Sequence, residues 1–426
     1  MEIRFCIYLF FSFVLISRCN ILNAQKSDTI HVTIDSAEKY FLKNNLSLIA
    51  QKYEIEEAKA AVIQARLFEN PDLTYSNTIH NPQNGKYFDL SSQSDHTIQI
   101  NQLFYLAGKR KKRTKVEEIN TQMNEYQYYD MVRTLKNELH TAFYDLHYLL
   151  QALEMYNRQL MSAKKIADLV DDQSKKGNLS LREVTRIKAL VFSLENGKLN
   201  VLNEIMDREN SLKVLTRLPA QNFIIPTVDD SKTENLSMTT VNLQQILSVA
   251  DTARYDLKQA ELAIKHEEAN YALQKALAVP DVTFGPGYTQ QSNFVKDDLT
   301  YAVGFAIPIF NRNQGNILAA KNLVDERKAQ YDQAKEGIHN DVVAAYTKAV
   351  ESEKIYKNFD QSFTKDYDKL ISGITLEYEK RNVSLLEFLD YYQTYTQSMS
   401  DLFQLRSARM EAIENINLVT GTTIIK

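Results

Sequence analysis

Apolar residues recur at three-to-four spacing over long stretches of the chain. Leu135, Leu139, Phe143, Leu146 and Leu150 follow it, as do the smaller Val342, Ala345, Ala349, Ser352 and Tyr356. That spacing gathers an apolar stripe on one face of a helix. Pro71, Pro82, Pro219, Pro226, Pro280, Pro286 and Pro308 leave residues 83–218 and 309–426 without a proline. A proline inside a helix costs about 3 kcal/mol, so these gaps, rich in Ala, Leu, Glu, Lys and Gln, predict long helices. One helix over 114–174 would reach roughly 90 Å at 1.5 Å per residue, a rod rather than a globule.

Elsewhere the period shortens to two. Leu299, Tyr301, Val303, Phe305, Ile307 and Ile309 alternate with Thr300, Ala302, Gly304 and Ala306, so a strand here has one large apolar face and one small face. Strands are expected at about 72–79, 96–105, 282–290 and 299–309, the first two joined by a polar loop through Asn81-Pro82-Gln83-Asn84-Gly85. Strands of this length with apolar-out alternation match tilted membrane strands; an ordinary half-buried sheet carries the same pattern. Four strands cannot close a barrel, and open edges in lipid leave backbone groups unpaired. Three copies would supply twelve strands and close the sheet. Tyr75, Phe104, Tyr105, Phe284, Tyr288 and Tyr301 suit either aromatic girdles or core positions.

The helices and strands occur twice. Leu48, Ile55, Ala60, Pro71, Asp72 and Thr74 recur 209 positions later as Leu257, Ile264, Ala269, Pro280, Asp281 and Thr283. Asn178-Leu179-Ser180-Leu181 with Glu183 recurs 204 positions later as Asn382-Val383-Ser384-Leu385 with Glu387. Two collinear matches argue for duplication. Each half reads as a helix (about 36–68 and 241–278), two strands and a long helical hairpin. The expected organisation is a leader at 1–24, a first repeat at 25–225 with its hairpin at about 107–217, and a second repeat at 226–426 with its hairpin at about 314–420.

Residues 1–24 carry Arg4, an apolar run from Phe5 to Ile16 and a Leu22-Asn23-Ala24 end, the pattern of a cleaved signal peptide with Gln25 as the new terminus. The apolar run is too short to span a bilayer. Both cysteines, Cys6 and Cys19, fall in this segment, so the mature chain has no disulfide or thiolate ligand. Cys19 follows Arg18, where a lipoprotein signal wants a small residue. The 426 residues are 44% apolar with a formal net charge of −4, which gives a core but no general attraction to nucleic acid.

With these features in place, Asn70-Pro71-Asp72-Leu73, Gln102-Leu103-Phe104, Gly108-Lys109-Arg110 and Ile307-Pro308-Ile309-Phe310-Asn311-Arg312 with Gly315 make the chain from Ser36 to Thr422 resemble the TolC-type outer-membrane efflux family, most closely its CzcC/CusC-like cation-efflux branch. The resemblance implies a mainly α fold with a small membrane β-barrel contribution: two tandem helix-strand-strand-hairpin repeats, four strands per chain completing a 12-stranded barrel in a homotrimer, and a long periplasmic helical tunnel. It implies a passive duct in the outer membrane, for metal cations or drugs, working with a periplasmic adaptor and an inner-membrane pump of RND or ABC type. A type I secretion duct and a secreted coiled-coil rod or adhesin are the alternatives.

The resemblance also assigns sites. The hairpin turns, Gly177-Asn178-Leu179-Ser180 and Arg381-Asn382-Val383-Ser384, correspond to the tips that contact the adaptor, although any helical hairpin uses such stop and cap residues. Glu387 and Asp390 share a helix face and correspond to acidic pore-gate residues; a solvated helix face is the other reading. Three copies of this pair would focus a negative potential, and repulsion would raise some of their pKa values. Tyr378 and Glu183 match the family's closing network, but Val383 stands where the family has Arg, which leaves Arg182 or Arg381 as the substitute.

The run Lys109-Arg110-Lys111-Lys112-Arg113-Thr114-Lys115 reads as a nucleic-acid patch only in a cytosolic protein; beside a membrane strand it suits lipid phosphates or plain solvation. The seven His are scattered without metal-ligand spacing, and no catalytic set or phosphate loop stands out. No enzyme, cofactor, metal site or nucleic-acid partner is expected.

Overall fold

The structure, a computed structural model, describes residues 29–425 except 83, 92–93, 239–240, 292–294 and 360–362. The expected leader, with Arg4, Cys6, Cys19 and the new terminus at Gln25, lies outside the described residues. In chain order the elements are β1 (Thr29–Val32), α1 (Ile34–Asn44), α2 (Leu46–Arg66), β2 (Asp72–Asn77), β3 (His96–Phe104), α3 (Lys109–Lys175), α4 (Leu181–Thr216), β4 (Phe223–Pro226), α5 (Asp230–Asn235), α6 (Leu243–Ala253), α7 (Tyr255–Leu277), β5 (Val282–Gln291), β6 (Lys296–Phe305), α8 (Gln314–Asn358), α9 (Phe363–Glu379) and α10 (Leu385–Thr420). Among the described residues, no helix is long and apolar enough to cross a membrane.

The chain packs as two compact units. One comprises Lys136–Ser237, Glu351–Glu414 and the chain up to Asn45; the other comprises Leu46–Leu135, Met238–Val350 and the chain from Asn415. Both draw on both halves of the duplication, and α3 and α8 contribute to each.

The first unit is a helical body with one short parallel ladder, β1 on β4, which the sequence pattern did not indicate. Of the predicted stripe, Leu139, Phe143 and Leu146 are fully buried in α3. Further along α3, Leu160, Ala163, Ile166 and Val170 meet Val184, Ile187, Leu190 and Leu194 of α4 and Leu385, Phe388 and Tyr392 of α10. Two buried charged side chains in this unit are paired, as burial demands. Arg409 donates to Glu353 Oε2 at 2.8 Å and to the Thr233 carbonyl at 2.9 Å. His140 lies between Glu38, 2.7 Å from Nε2, and Glu414, 3.0 Å from Nδ1. Burial opposes a charge on this imidazole, but the two carboxylates prevail and push its pKa up to about 9.

The second unit holds an antiparallel sheet in the order β2-β3-β5-β6. The register places Tyr75 opposite Ile98, Ile98 opposite Tyr288, and Tyr288 opposite Leu299. Leu73, Ile100, Phe284, Tyr301, Val303 and Phe305 share that face and are exposed. Apart from Leu103, the opposite face is polar or small, with Gln99, Asn101 and Thr300. There Gly285 leaves room for Asn101: a Cβ would lie 2.2 Å from its Oδ1. A soluble sheet buries its apolar face; this one turns it outward and leaves β2 and β6 as open edges. The strand expected at 299–309 lies instead at Lys296–Phe305, because its partner begins with Val282 opposite Phe305 and offers no ladder beyond.

Each half was also expected to open with one helix, at 36–68 and 241–278. Each is broken instead, at Asn45 and at Arg254, positions related by the 209-residue offset. Asn45 leaves helical geometry and donates Nδ2 to the Leu215 carbonyl at 3.0 Å. Arg254 does the same, donating Nη1 to the Val419 carbonyl at 3.2 Å, and is held by Asp256. In both halves the break residue satisfies a bare carbonyl in the last turn of the returning helix.

Candidate functional site

The two hairpin tips lie together in the first unit. At the first, α3 ends in a Schellman turn: Gly177 N–H donates to the Ser174 carbonyl at 2.9 Å and Asn178 N–H to the Gln173 carbonyl at 2.9 Å. At the second, Arg381 N–H donates to the Tyr378 carbonyl at 3.0 Å and Asn382 N–H to the Glu377 carbonyl at 2.9 Å. The asparagine side chains repeat the match, Asn178 donating to Gln173 Oε1 at 2.9 Å and Asn382 to Glu377 Oε2 at 2.6 Å.

The next helices start alike. Ser180 caps α4, and Glu183 accepts from its N–H and hydroxyl, both at 2.9 Å. Ser384 caps α10, and Glu387 accepts from its N–H at 3.0 Å and its hydroxyl at 2.8 Å. These are capping boxes, S-x-x-E, a signal present in the sequence that the gate reading of Glu387 passed over. The hydrogen bonds from Ser180 hold Glu183 below the usual carboxylate range, with Arg182 and Arg381 helping. Those from Ser384 do the same for Glu387. Within one chain the cap therefore works against the upward shift expected from a carboxylate ring.

Gly177 has φ of 77°, the left-handed conformation glycine adopts freely, and Arg381 holds the matching position at φ of 63°. The Arg381 guanidinium reaches the first tip, donating Nη2 to Gln173 Oε1 at 3.2 Å. Of the two candidate arginines, it is Arg381 that bridges the tips; Lys165 adds an ion pair to Glu379 at 2.9 Å. Gln173, Glu183, Tyr378, Arg381 and Val383 line one cavity of about 330 Å³, with Leu179 and Ser384 at its wall.

Among the described residues, Tyr378 and Glu183 share that cavity without a mutual hydrogen bond. The Tyr378 ring stacks on buried Phe388 with centroids 4.7 Å apart. Burial, and then the Glu183 charge, raise the Tyr378 pKa, so its hydroxyl remains a donor. Glu387 and Asp390 are both exposed on α10. Asp390 lines a neighbouring groove with Arg186, Ser193 and Gln393. Among the described residues, no group of His, Cys, Asp and Glu is arranged to hold a metal ion.

A duplicated chain of long helical hairpins, with a four-stranded sheet that is open at both edges and apolar on its outer face, defines a subunit of a membrane channel. The outer membrane efflux protein profile matches residues 39–216 and 246–422, one stretch in each half, and the chain belongs to that family. The cobalt-zinc-cadmium resistance protein CzcC of Cupriavidus metallidurans is 18% identical over 408 residues, 92% of this chain and 90% of that protein. Among solved structures, CusC matches with a TM-score of 0.74 at 18% identity, over 91% of this chain and 92% of its own. The Campylobacter jejuni outer membrane channel CmeC matches with a TM-score of 0.74 at 16% identity, over 92% and 86%. The fold and the family are those of outer-membrane efflux channels.

Proposed function

We propose that the chain is the outer-membrane exit duct of a tripartite efflux system, a homotrimer whose twelve strands close a barrel above a periplasmic helical tunnel. Cargo passes through it from an inner-membrane pump and a periplasmic adaptor, and the duct itself supplies no energy. The observation that carries this reading is the sheet: its apolar face is solvent-exposed in the single chain and, among the described residues, its two edges have no strand partner; lipid and two further copies would cover both. Metal cations are the leading cargo, supported by the likeness to CzcC, a cobalt-zinc-cadmium resistance protein.

The tips are the gate and the surface that meets the adaptor, through Gly177, Asn178, Leu179 and Ser180 on one and Arg381, Asn382, Val383 and Ser384 on the other. Arg381 on Gln173 holds the tips of one subunit together, with Glu183 and Tyr378 lining the same cavity. Glu387 and Asp390, three of each about the axis, make the entrance attractive to cations.

Planar-bilayer recording of the detergent-purified protein in a KCl gradient tests the proposal. Wild type should form small cation-selective channels, and Glu387→Gln/Asp390→Asn should shift the reversal potential toward zero. Gln retains the capping box, so the charge is removed without the cap. Protein extractable without detergent and lacking channel activity would favour the secreted rod.

A further inference from the structure

The junction between β3 and α3 carries more positive charge than its fold requires. Arg110, Lys111, Lys112, Arg113 and Lys115 fall in the first two turns of α3, whose first turn has no acidic residue. Cations at a helix start oppose the macrodipole, so helix energetics do not account for them. Ion pairing does not either. Lys109 is buried, with Nζ 2.7 Å from Asp281 and donating to the Val279 carbonyl at 2.6 Å, and Lys112 Nζ donates to the Ala107 carbonyl at 2.6 Å. Among the described residues, none of the other five forms an ion pair with a carboxylate. The helix that follows β6 opens with Gln314-Gly315-Asn316-Ile317 and carries no such run, so the duplicated junction folds without it.

Their surroundings point to a partner. The Arg110 guanidinium lies 3.6 Å from the centre of the Phe68 ring, and that of Arg113 lies 5.3 Å from the Tyr105 ring. Phe68, Phe104 and Leu106 are exposed, and Phe104 belongs to the outward apolar face of the sheet. An apolar band thus runs along the strands and ends in rings topped by cations. From Arg110 to Lys115 the helix rises about 8 Å, comparable to the headgroup layer on one side of a bilayer.

We propose that this junction binds the phosphate headgroups of anionic phospholipids in the leaflet entered by the apolar face of the sheet, with Phe68, Phe104 and Leu106 against the acyl chains. The inference rests on the sheet facing lipid and not on the conduction reading. Loss of lipid preference with unchanged conductance, or the reverse, tells the two apart.

The test is native mass spectrometry of the full chain in detergent, titrated with phosphatidylglycerol or phosphatidylcholine. Wild type should prefer phosphatidylglycerol by roughly tenfold or more, given the strength of basic clusters at membrane surfaces. The variant Arg110→Gln/Lys111→Gln/Arg113→Gln/Lys115→Gln should lose that preference, while Arg110→Lys/Arg113→Lys keeps it. Should the fourfold variant fail to fold, the exposed single changes Lys111→Gln and Lys115→Gln must each lower the preference. Equal binding of the two lipids, or an undiminished preference in the Gln variants, would overturn the proposal. So would displacement of phosphatidylglycerol by inorganic phosphate, which would mark a site for free anions.

Discussion

The two hairpin tips share a backbone and differ in what they place on it. Both end a helix with the same pair of main-chain bonds, anchor an asparagine in the same way and start the next helix with the same Ser/Glu box. At the left-handed position the first tip uses Gly177 and the second uses Arg381. One step inside the next helix the first tip buries Val184, and the second buries the larger Phe388 under Tyr378. A left-handed arginine costs about 1 kcal/mol or more against glycine. The difference places a guanidinium on Gln173 at the second tip alone, and that is the contact the proposed gate would use.

The largest effect should come from the cores beneath the tips. Phe388→Ala should cost about 3–5 kcal/mol and Val184→Ala roughly half that, read as lost protection from hydrogen exchange in residues 370–392 and 166–190. Equal losses would remove the asymmetry. Next, Gly177→Ala should lower local stability by about 1–2 kcal/mol through its positive φ, whereas Arg381→Gly should leave the turn as stable or more so. A marked loss for Arg381→Gly would mean that the guanidinium contributes mainly to folding.

Smaller effects should be the same at both tips. Ser180→Ala and Ser384→Ala should each cost about 1 kcal/mol, since the caps are alike. Acid should loosen both together. Glu183 and Glu387 sit below the usual carboxylate range in the folded chain, so their caps contribute fully above the unfolded pKa of about 4.3 and are lost as pH falls through the lowered folded values. Exchange protection measured from pH 6 down to about 3 should fall in wild type but stay flat in Glu183→Gln/Glu387→Gln; a fall of equal size in both proteins would reject the carboxylate caps.

Periodicity and proline spacing made the long hairpins legible, because a 3.6-residue stripe over sixty residues has no competing reading. The strands were legible from alternation, with β6 displaced because pairing, not composition, sets where a strand ends. The breaks at Asn45 and Arg254 were not, since neither residue is a breaker by type and each acts through a carbonyl some 165–170 residues away in sequence. The capping role of Glu183 and Glu387 was written in S-x-x-E, yet the same spacing served the gate reading equally well. Arg381 could be named from the turn but not aimed, because its partner Gln173 belongs to the other half of the duplication.

The proposal that Arg381 holds the tips closed through Gln173 is tested most directly by the single-channel conductance of Arg381→Ala beside Arg182→Ala. The account predicts that Arg381→Ala raises conductance clearly above wild type, because the bridge to Gln173 is lost in every subunit, while Arg182→Ala leaves it near wild type. Unchanged conductance in Arg381→Ala, or an equal rise in both, would contradict it.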